Sequence, residues 1–206
     1  MNKNHKLIRN HFKKVDSIIY KAMGDLDFNE WIKPQKKKKG SLEHFRALCR
    51  NIIGQQLAGK AADAITNRFK KLFTPRQINP KKILSLSDQT LRDVGMSWAK
   101  VKYLKDLSQK TLNKEVNFDL IGSFSDEKVI EKLTKVKGIG PWTAEMFLMF
   151  TLGREDVFSF GDLGLRRGLE KLYKIQNPTV KQIEKIVNPW SPYKSYGSIT
   201  LWHSLE

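Results

Sequence analysis

An all-α protein is what this sequence predicts, on three observations. Apolar residues recur at three- and four-residue steps through most of the 206 residues, the spacing of helix faces. No segment sustains the period-two alternation between hairpin turns that half-buried strands need. The hydrophobic share of 40%, with 10% aromatics, suffices for a packed core and argues against wholesale disorder.

The elements follow in order. Leu7, Ile8, Phe12, Val15, Ile18, Ile19 and Met23 share one face of a helix over residues 7–23. Lys36-Lys37-Lys38-Lys39, between Pro34 and Gly40, reads as a solvated basic loop, and whether it touches phosphate stays open. Ser41 is placed to cap a helix whose stripe of Leu42, Phe45, Leu48, Cys49, Ile52 and Ile53 stops at Gly54. Past a break at Gln55-Gln56-Leu57, a helix over about residues 58–73 buries Ala61, Ile65, Phe69 and Leu72 and ends at Thr74-Pro75. Ser87 then caps Leu91–Val94, Gly95 closes it, and residues 97–112 turn Val101, Leu104 and Leu107 inward. Phe124-Ser125-Asp126 opens a helix running through Leu133 and Val136. After a Gly-Ile-Gly turn, Trp142–Leu152 is apolar on nearly every side and is expected in the middle of the molecule. Asp162–Tyr173 and Thr179–Val187 complete the helices, and Pro192 introduces an aromatic tail, Tyr193–Trp202. Trp31, Trp98 and Trp190 read as core.

Charge narrows the partner. Lys plus Arg number 38 against 21 Asp plus Glu, a formal net charge of +17. A field of that size favours polyanions, nucleic acid first and anionic membrane second, unless the lysines merely solubilise the surface. The longest apolar run, Met146–Leu152, falls far short of the roughly 18–20 residues of a membrane span. The N-terminus lacks the apolar stretch of a secretory signal. Cys49 is the only cysteine, which excludes an internal disulfide, a thiolate zinc site and a cysteine-ligated iron–sulfur cluster. His5, His11, His44 and His203 are scattered without metal-ligand spacing, and a reducing, intracellular setting is expected.

Two phosphate-loop look-alikes fail on chemistry. Residues 54–61 resemble a Walker A loop, but Ala61 stands where a hydroxyl must hold magnesium, and a helix precedes them rather than a strand. Gly138-Ile139-Gly140 lacks the third glycine of a dinucleotide fingerprint, with Thr143 in its place.

The informative segment is Leu133-Thr134-Lys135-Val136-Lys137-Gly138-Ile139-Gly140-Pro141-Trp142-Thr143-Ala144. Its two glycines allow positive φ and leave amides uncovered, and Pro141 suits a first helical position. Amides meeting the positive end of a helix make a site for a phosphate oxygen, and Lys135 and Lys137 add charge. The segment resembles the helix–hairpin–helix motif of DNA repair proteins, with Lys137 where proline is common. Twenty residues on, Asp162 lies between Gly161 and Gly164 at a helix start, a position that is often no more than an N-cap.

Asp162 follows the hairpin at the interval seen in the helix–hairpin–helix DNA glycosylase superfamily, which identifies it as the catalytic acid by resemblance. Three features are similar to the alkyl-base branch, the 3-methyladenine DNA glycosylase II type. They are Ile52-Ile53-Gly54-Gln55-Gln56-Leu57-Ala58, Trp142 after Gly140-Pro141, and the tail from Trp190-Ser191-Pro192-Tyr193 to Leu201-Trp202. Trp142 stands where lyase-capable relatives carry a Schiff-base lysine, so the resemblance implies a monofunctional enzyme. The similarity runs from about Phe45 to Trp202 and looks like the short form, since about 40 preceding residues cannot supply an extra N-terminal domain.

What the resemblance implies is specific. The fold would be two-lobed with a cleft: residues 1–40 packing with the C-terminal lobe, a central lobe over 41–152 with the helix–hairpin–helix at 131–152, and the catalytic-Asp loop and C-terminal helices over 153–206. The activity would be excision of alkylated purines such as 3-methyladenine and 7-methylguanine from duplex DNA by base flipping and hydrolysis. Asp162 would stabilise the sugar cation, and Trp142, Trp202, Tyr196 and Met146 would form the base pocket. Gln55 or Gln56 would plug the vacated duplex position, and Lys135, Lys137, Gly138, Ile139, Gly140 and Thr143 would hold phosphate. Residues 91–100, similar to the branch's second turn, would face the DNA backbone. No cofactor or metal is implied, though a monovalent cation at the hairpin is allowed. A monomer, in the cytoplasm of a bacterium or the nucleus of a eukaryote, is expected. A glycosylase for hypoxanthine, ethenoadenine or an oxidised base, and a non-catalytic hairpin module, remain as alternatives.

Overall fold

The computed structural model describes residues 3–32, 40–74 and 77–206, so the Lys36–Lys39 run and the Pro75 stop lie outside the described residues. Helices supply all the regular structure among those residues. The expected helix over residues 7–23 is two, α1 (Lys3–Val15) and α2 (Ser17–Ala22). Asp16 separates them: its backbone is extended, and its Oδ1 accepts the N–H groups of Ile18 and Ile19 at 3.0 and 3.1 Å. Helix α3 (Ser41–Gly54) begins at Ser41 rather than after it; Gly40 holds the cap position and gives no side-chain bond. Helix α4 (Gly59–Lys71) turns Ile65 and Phe69 inward, while Ala61, expected inside, is exposed in the first turn.

A short helix that periodicity alone does not announce, α5 (Pro80–Ser85), follows. Asn79 caps it by accepting the Lys82 N–H at 3.0 Å, and Pro80 opens it where a missing N–H costs nothing. Serines cap the next three: Ser87, as expected, for α6 (Asp88–Asp93), and also Ser97 for α7 (Trp98–Leu112) and Ser125 for α8 (Asp126–Leu133). Helix α9 (Pro141–Phe150) stops two residues short of expectation. Ala144, Phe147, Leu148 and Met149 are buried in it, but Trp142 and Phe150 are exposed, so it is not embedded on every side. The chain closes with α10 (Leu163–Tyr173), α11 (Val180–Val187) under a Thr179–Gln182 capping box, and α12 (Lys194–His203).

The chain forms two compact units, one of Met1–Gln35 with Leu148–Glu206 and one of Lys36–Phe147. In the first, Asp16 ties the chain's two ends together: its Oδ2 accepts the Trp190 indole N–H at 2.8 Å and the Tyr173 hydroxyl. Trp190 is fully buried against Phe12 and Phe158, and truncating so large a core ring costs about 3–5 kcal/mol. In the second, Phe45, Phe118 and Phe147 form an aromatic chain of edge and tilted contacts at 6.1 and 6.4 Å. Trp98 corrects the reading of it as core. It is 51% exposed, with the Arg92 guanidinium 5.8 Å from its ring centroid, because it opens α7 beside the turn closed by Gly95.

Candidate active site and nucleic-acid interface

Asp162 is the N-cap of α10, and its side chain does two jobs within the first unit. Its Oδ1 accepts the Leu165 N–H at 2.7 Å, the ordinary cap bond, and the Trp202 indole N–H at 3.0 Å. Gly164 makes the second contact fit: a Cβ there would stand 2.9 Å from Trp202 Cδ1 and 3.0 Å from Asp162 Oδ1. Trp202 is itself walled by aromatics. Trp31 lies nearly parallel to it, 12° between planes and 6.5 Å between centroids, and Phe150 is tilted by 34° at 6.0 Å. A half-buried carboxyl group thus sits against an electron-rich wall at the positive end of a helix.

Tyr196 does not add a face to that wall. It is buried, its hydroxyl donates to Glu155 Oε1 at 2.6 Å, and its ring meets Phe28 edge-on at 5.1 Å. Burial first, then the Glu155 carboxylate, holds its phenol above the ordinary range, so it supports the tail rather than lining a pocket.

The second unit gathers turns. Gln55 donates from Nε2 to the Gly138 carbonyl at 2.8 Å, and Lys100 from Nζ to the Ile53 carbonyl at 2.8 Å. The first bond knits the Gln55-Gln56-Leu57 turn to the hairpin, and the second ties the end of α3 to the start of α7. Gln55 is therefore spent on positioning the hairpin. Gln56, with φ of +57°, and Leu57 stay exposed at the tip.

The hairpin itself is pinned from inside. Asp106, on α7, accepts the Lys137 N–H at 2.8 Å and both bonds from Lys110 at 2.9 and 3.0 Å. Burial opposes its charged form, but the Lys110 and Lys137 bonds and charges outweigh that and hold its carboxyl below the usual range. Ile139 is buried and gives its N–H to the Val136 carbonyl at 3.1 Å. So the amides of Lys137 and Ile139, expected to be uncovered, are used internally; among the described residues, nothing in the chain takes those of Gly138 and Gly140.

Only Gly138 needs the positive φ, +77°, and a Cβ there would come within 2.1 Å of the Tyr103 ring. At Gly140 a Cβ would meet nothing. Lys135 is exposed and pairs with Glu131 at 3.1 Å, and Thr143 is buried, so its side chain is withdrawn from the surface. Trp142 and Met146 lie four residues apart on one face of α9, Trp142 48% exposed and Met146 partly buried.

Geometry thus brings Asp162 together with Trp202, and Gln55 with the hairpin, while Tyr196 and Thr143 turn inward. Sequence reasoning misses Trp31, Phe150, Gly164 and Asp106. Trp31 and Phe150 carry no motif, and Gly164 and Asp106 matter only through residues 38 and 31 positions away in the chain. No group of acidic, His or Cys side chains among the described residues could hold a metal ion, and none of the described helices is long and apolar enough to cross a membrane.

The turns and the carboxyl-tipped helix define a helix–hairpin–helix protein. The chain belongs to the HhH-GPD superfamily of base excision DNA repair proteins, whose sequence profile matches residues 49–192. It is 34% identical to DNA-3-methyladenine glycosylase 1 of Schizosaccharomyces pombe over 78% of its own length and 72% of that protein's. The solved 3-methyladenine DNA glycosylase of the same yeast, in complex with abasic DNA, superposes with a TM-score of 0.78 at 30% identity, covering 96% of each chain. A Bacillus subtilis relative is 32% identical over 79% of this chain, which spans 59% of that longer protein.

Proposed function

We propose that the chain is a monofunctional DNA glycosylase that releases N-alkylated purines from duplex DNA. The observation that carries this is the Asp162–Trp202 pair: a carboxylate fixed by an indole N–H inside an aromatic wall, in a member of a base excision repair family. The names of its relatives, glycosylases for 3-methyladenine, support the same substrate class.

The chemistry suits the residues. A purine alkylated at N3 or N7 is cationic, so its glycosidic bond is already weak and needs little protonation. As the bond breaks, positive charge grows on the deoxyribose, and the Asp162 carboxylate stabilises it and orients or deprotonates the attacking water. The indoles hold the departing ring, each cation–π contact worth about 0.5–2 kcal/mol once desolvated, a gain a neutral base forgoes. Trp142 cannot form an imine, which supports hydrolysis without strand cleavage. The Gly138 and Gly140 amides would take a phosphate oxygen, and Gln56 and Leu57 at the exposed tip would fill the gap a flipped nucleotide leaves, at an unstacking cost of a few kcal/mol.

The test is base release from methylated duplex DNA. Asp162→Asn keeps an oxygen for both Leu165 and Trp202 and caps a helix as well as aspartate does. Lesion binding and melting temperature should therefore hold while excision falls by about 10²–10⁴-fold. Undiminished excision would remove Asp162 from the mechanism, and no released base from the unaltered protein would leave a DNA-binding module.

A further inference from the structure

A cavity of about 440 Å3 opens between α3 and α4 in the second unit, lined by none of the candidate site residues described above. Its floor is apolar. Cys49 and Phe69 are buried there with Phe73 and Ile78 half-buried beside them, and the two phenyl rings meet edge-on at 5.1 Å. Burial pushes the Cys49 thiol far above its ordinary value, so the floor carries no charge.

The rim is cationic. Arg46 and Arg50 come from α3, Lys70 and Lys71 from α4, and no carboxylate lines the cavity among the described residues. Lys70 and Lys71 sit in the last turn of α4, where cations also offset the helix's negative end. Arg50 lies inside α3, before its last turn, and has no such reason to be there. Arg46 gives its Nε–H to the Ile78 carbonyl at 3.0 Å, which fixes the wall.

This combination selects a ligand. The volume falls within the roughly 300–1,000 Å3 of small-ligand pockets. The floor takes a flat apolar body, and four cations around it match a dianion better than a single carboxylate, with arginine suited to bidentate phosphate contact. Lys70 lies roughly 16 Å along α4 from Gly59 and the turn before it, at 1.5 Å per residue, so the cavity is separate from the hairpin contacts.

We propose that this cavity is a second nucleotide site, taking a nucleoside monophosphate with its base against Phe73 and its phosphate against Arg50, Lys70 and Lys71. The nucleotide is either free or the phosphorylated end of a single strand. The site stands independently of the glycosylase activity.

The test is titration of the 15N-labelled full chain, followed by amide shifts, with deoxyadenosine monophosphate, deoxyadenosine, inorganic phosphate and a 5′-phosphorylated tetranucleotide. The monophosphate should move the amides of residues 69–74 and 78 and bind at least about tenfold more tightly than deoxyadenosine or phosphate alone. The exposed double variant Arg50→Gln/Lys70→Gln should lose about tenfold in that affinity, with melting temperature and excision from methylated DNA unchanged. Tighter binding of the tetranucleotide would assign the site to strand ends, and equal binding to free nucleotide; either supports it. Shifts confined to residues 135–143, deoxyadenosine binding as well as its monophosphate, or a double variant with full affinity would overturn the proposal.

Discussion

Two glycines one residue apart in the hairpin have different reasons to be glycine, and the difference can be measured. Gly138 is fixed by the protein: its φ of +77° and the Tyr103 ring, 2.1 Å from where a Cβ would sit, both forbid a side chain. Gly138→Ala should therefore destabilise the fold by about 1–3 kcal/mol, seen as a lower melting temperature. Gly140 has ordinary backbone and open space on that side, so Gly140→Ala should leave the melting temperature unchanged or slightly raised. If its uncovered amide receives a phosphate, the same methyl group obstructs the approach, and affinity for duplex DNA should fall by about tenfold, the worth of one charge-assisted hydrogen bond. A Gly140→Ala variant with full DNA affinity would move the phosphate contact elsewhere. Asp162 shows a third kind of duty, in which one oxygen is cap and indole anchor at once. The bland reading of that aspartate as a helix cap and the chemical one are compatible.

At the scale of elements, the hairpin is held in shape by Asp106 from the middle of α7, and this gives a pH signature. The Asp106 side chain is only 16% exposed and serves Lys110 and the Lys137 N–H together. Its carboxyl is held below the unfolded value of about 4. The stabilisation is complete above pH of about 4 and is lost as pH falls through the depressed folded value. Asp106→Asn should flatten the acid limb of the stability profile below about pH 4, cost about 1–3 kcal/mol at neutral pH and weaken DNA binding through a loosened hairpin. An unchanged acid limb would show that the pair contributes nothing. This anchor also marks where sequence stops being informative. Most helices and the Ser87 cap are legible because they are local, the hairpin turn because of its glycines and proline, and Asp162 as a candidate only by resemblance to a known family. The break at Asp16 was not, since an aspartate before serine also fits a helix face; nor was α5, too short to show periodicity. Trp31 and Trp98 look alike in the sequence. Only tertiary placement makes one a neighbour of Trp202 and leaves the other in solvent under Arg92.

For the whole molecule, the charge of +17 bears on how DNA is found and held. Some of the lysines are already matched locally, and the rest add diffuse charge. Lys128 and Lys135 both pair with Glu131, whose carboxyl they hold at about 2, and Lys110 is tied to Asp106. Long-range attraction speeds encounter with a polyanion, but equilibrium affinity depends on how many phosphates are neutralised at contact. The second unit offers three turns, at Gln55–Leu57, at Gly95–Trp98 and at Lys137–Gly140; Gln55 bonds the first to the third, and Lys100, in the first turn of α7, bonds the end of α3. If each turn meets one phosphate, the logarithm of affinity should fall with the logarithm of salt at a slope of about −2.7, or about 40-fold between 50 and 200 mM. Binding of an undamaged duplex across that range measures the slope. A value near zero would mean that the three turns do not form the DNA face. A much steeper one would show that the diffuse lysines join the contact, making the protein a broad polyelectrolyte clamp rather than a three-point grip.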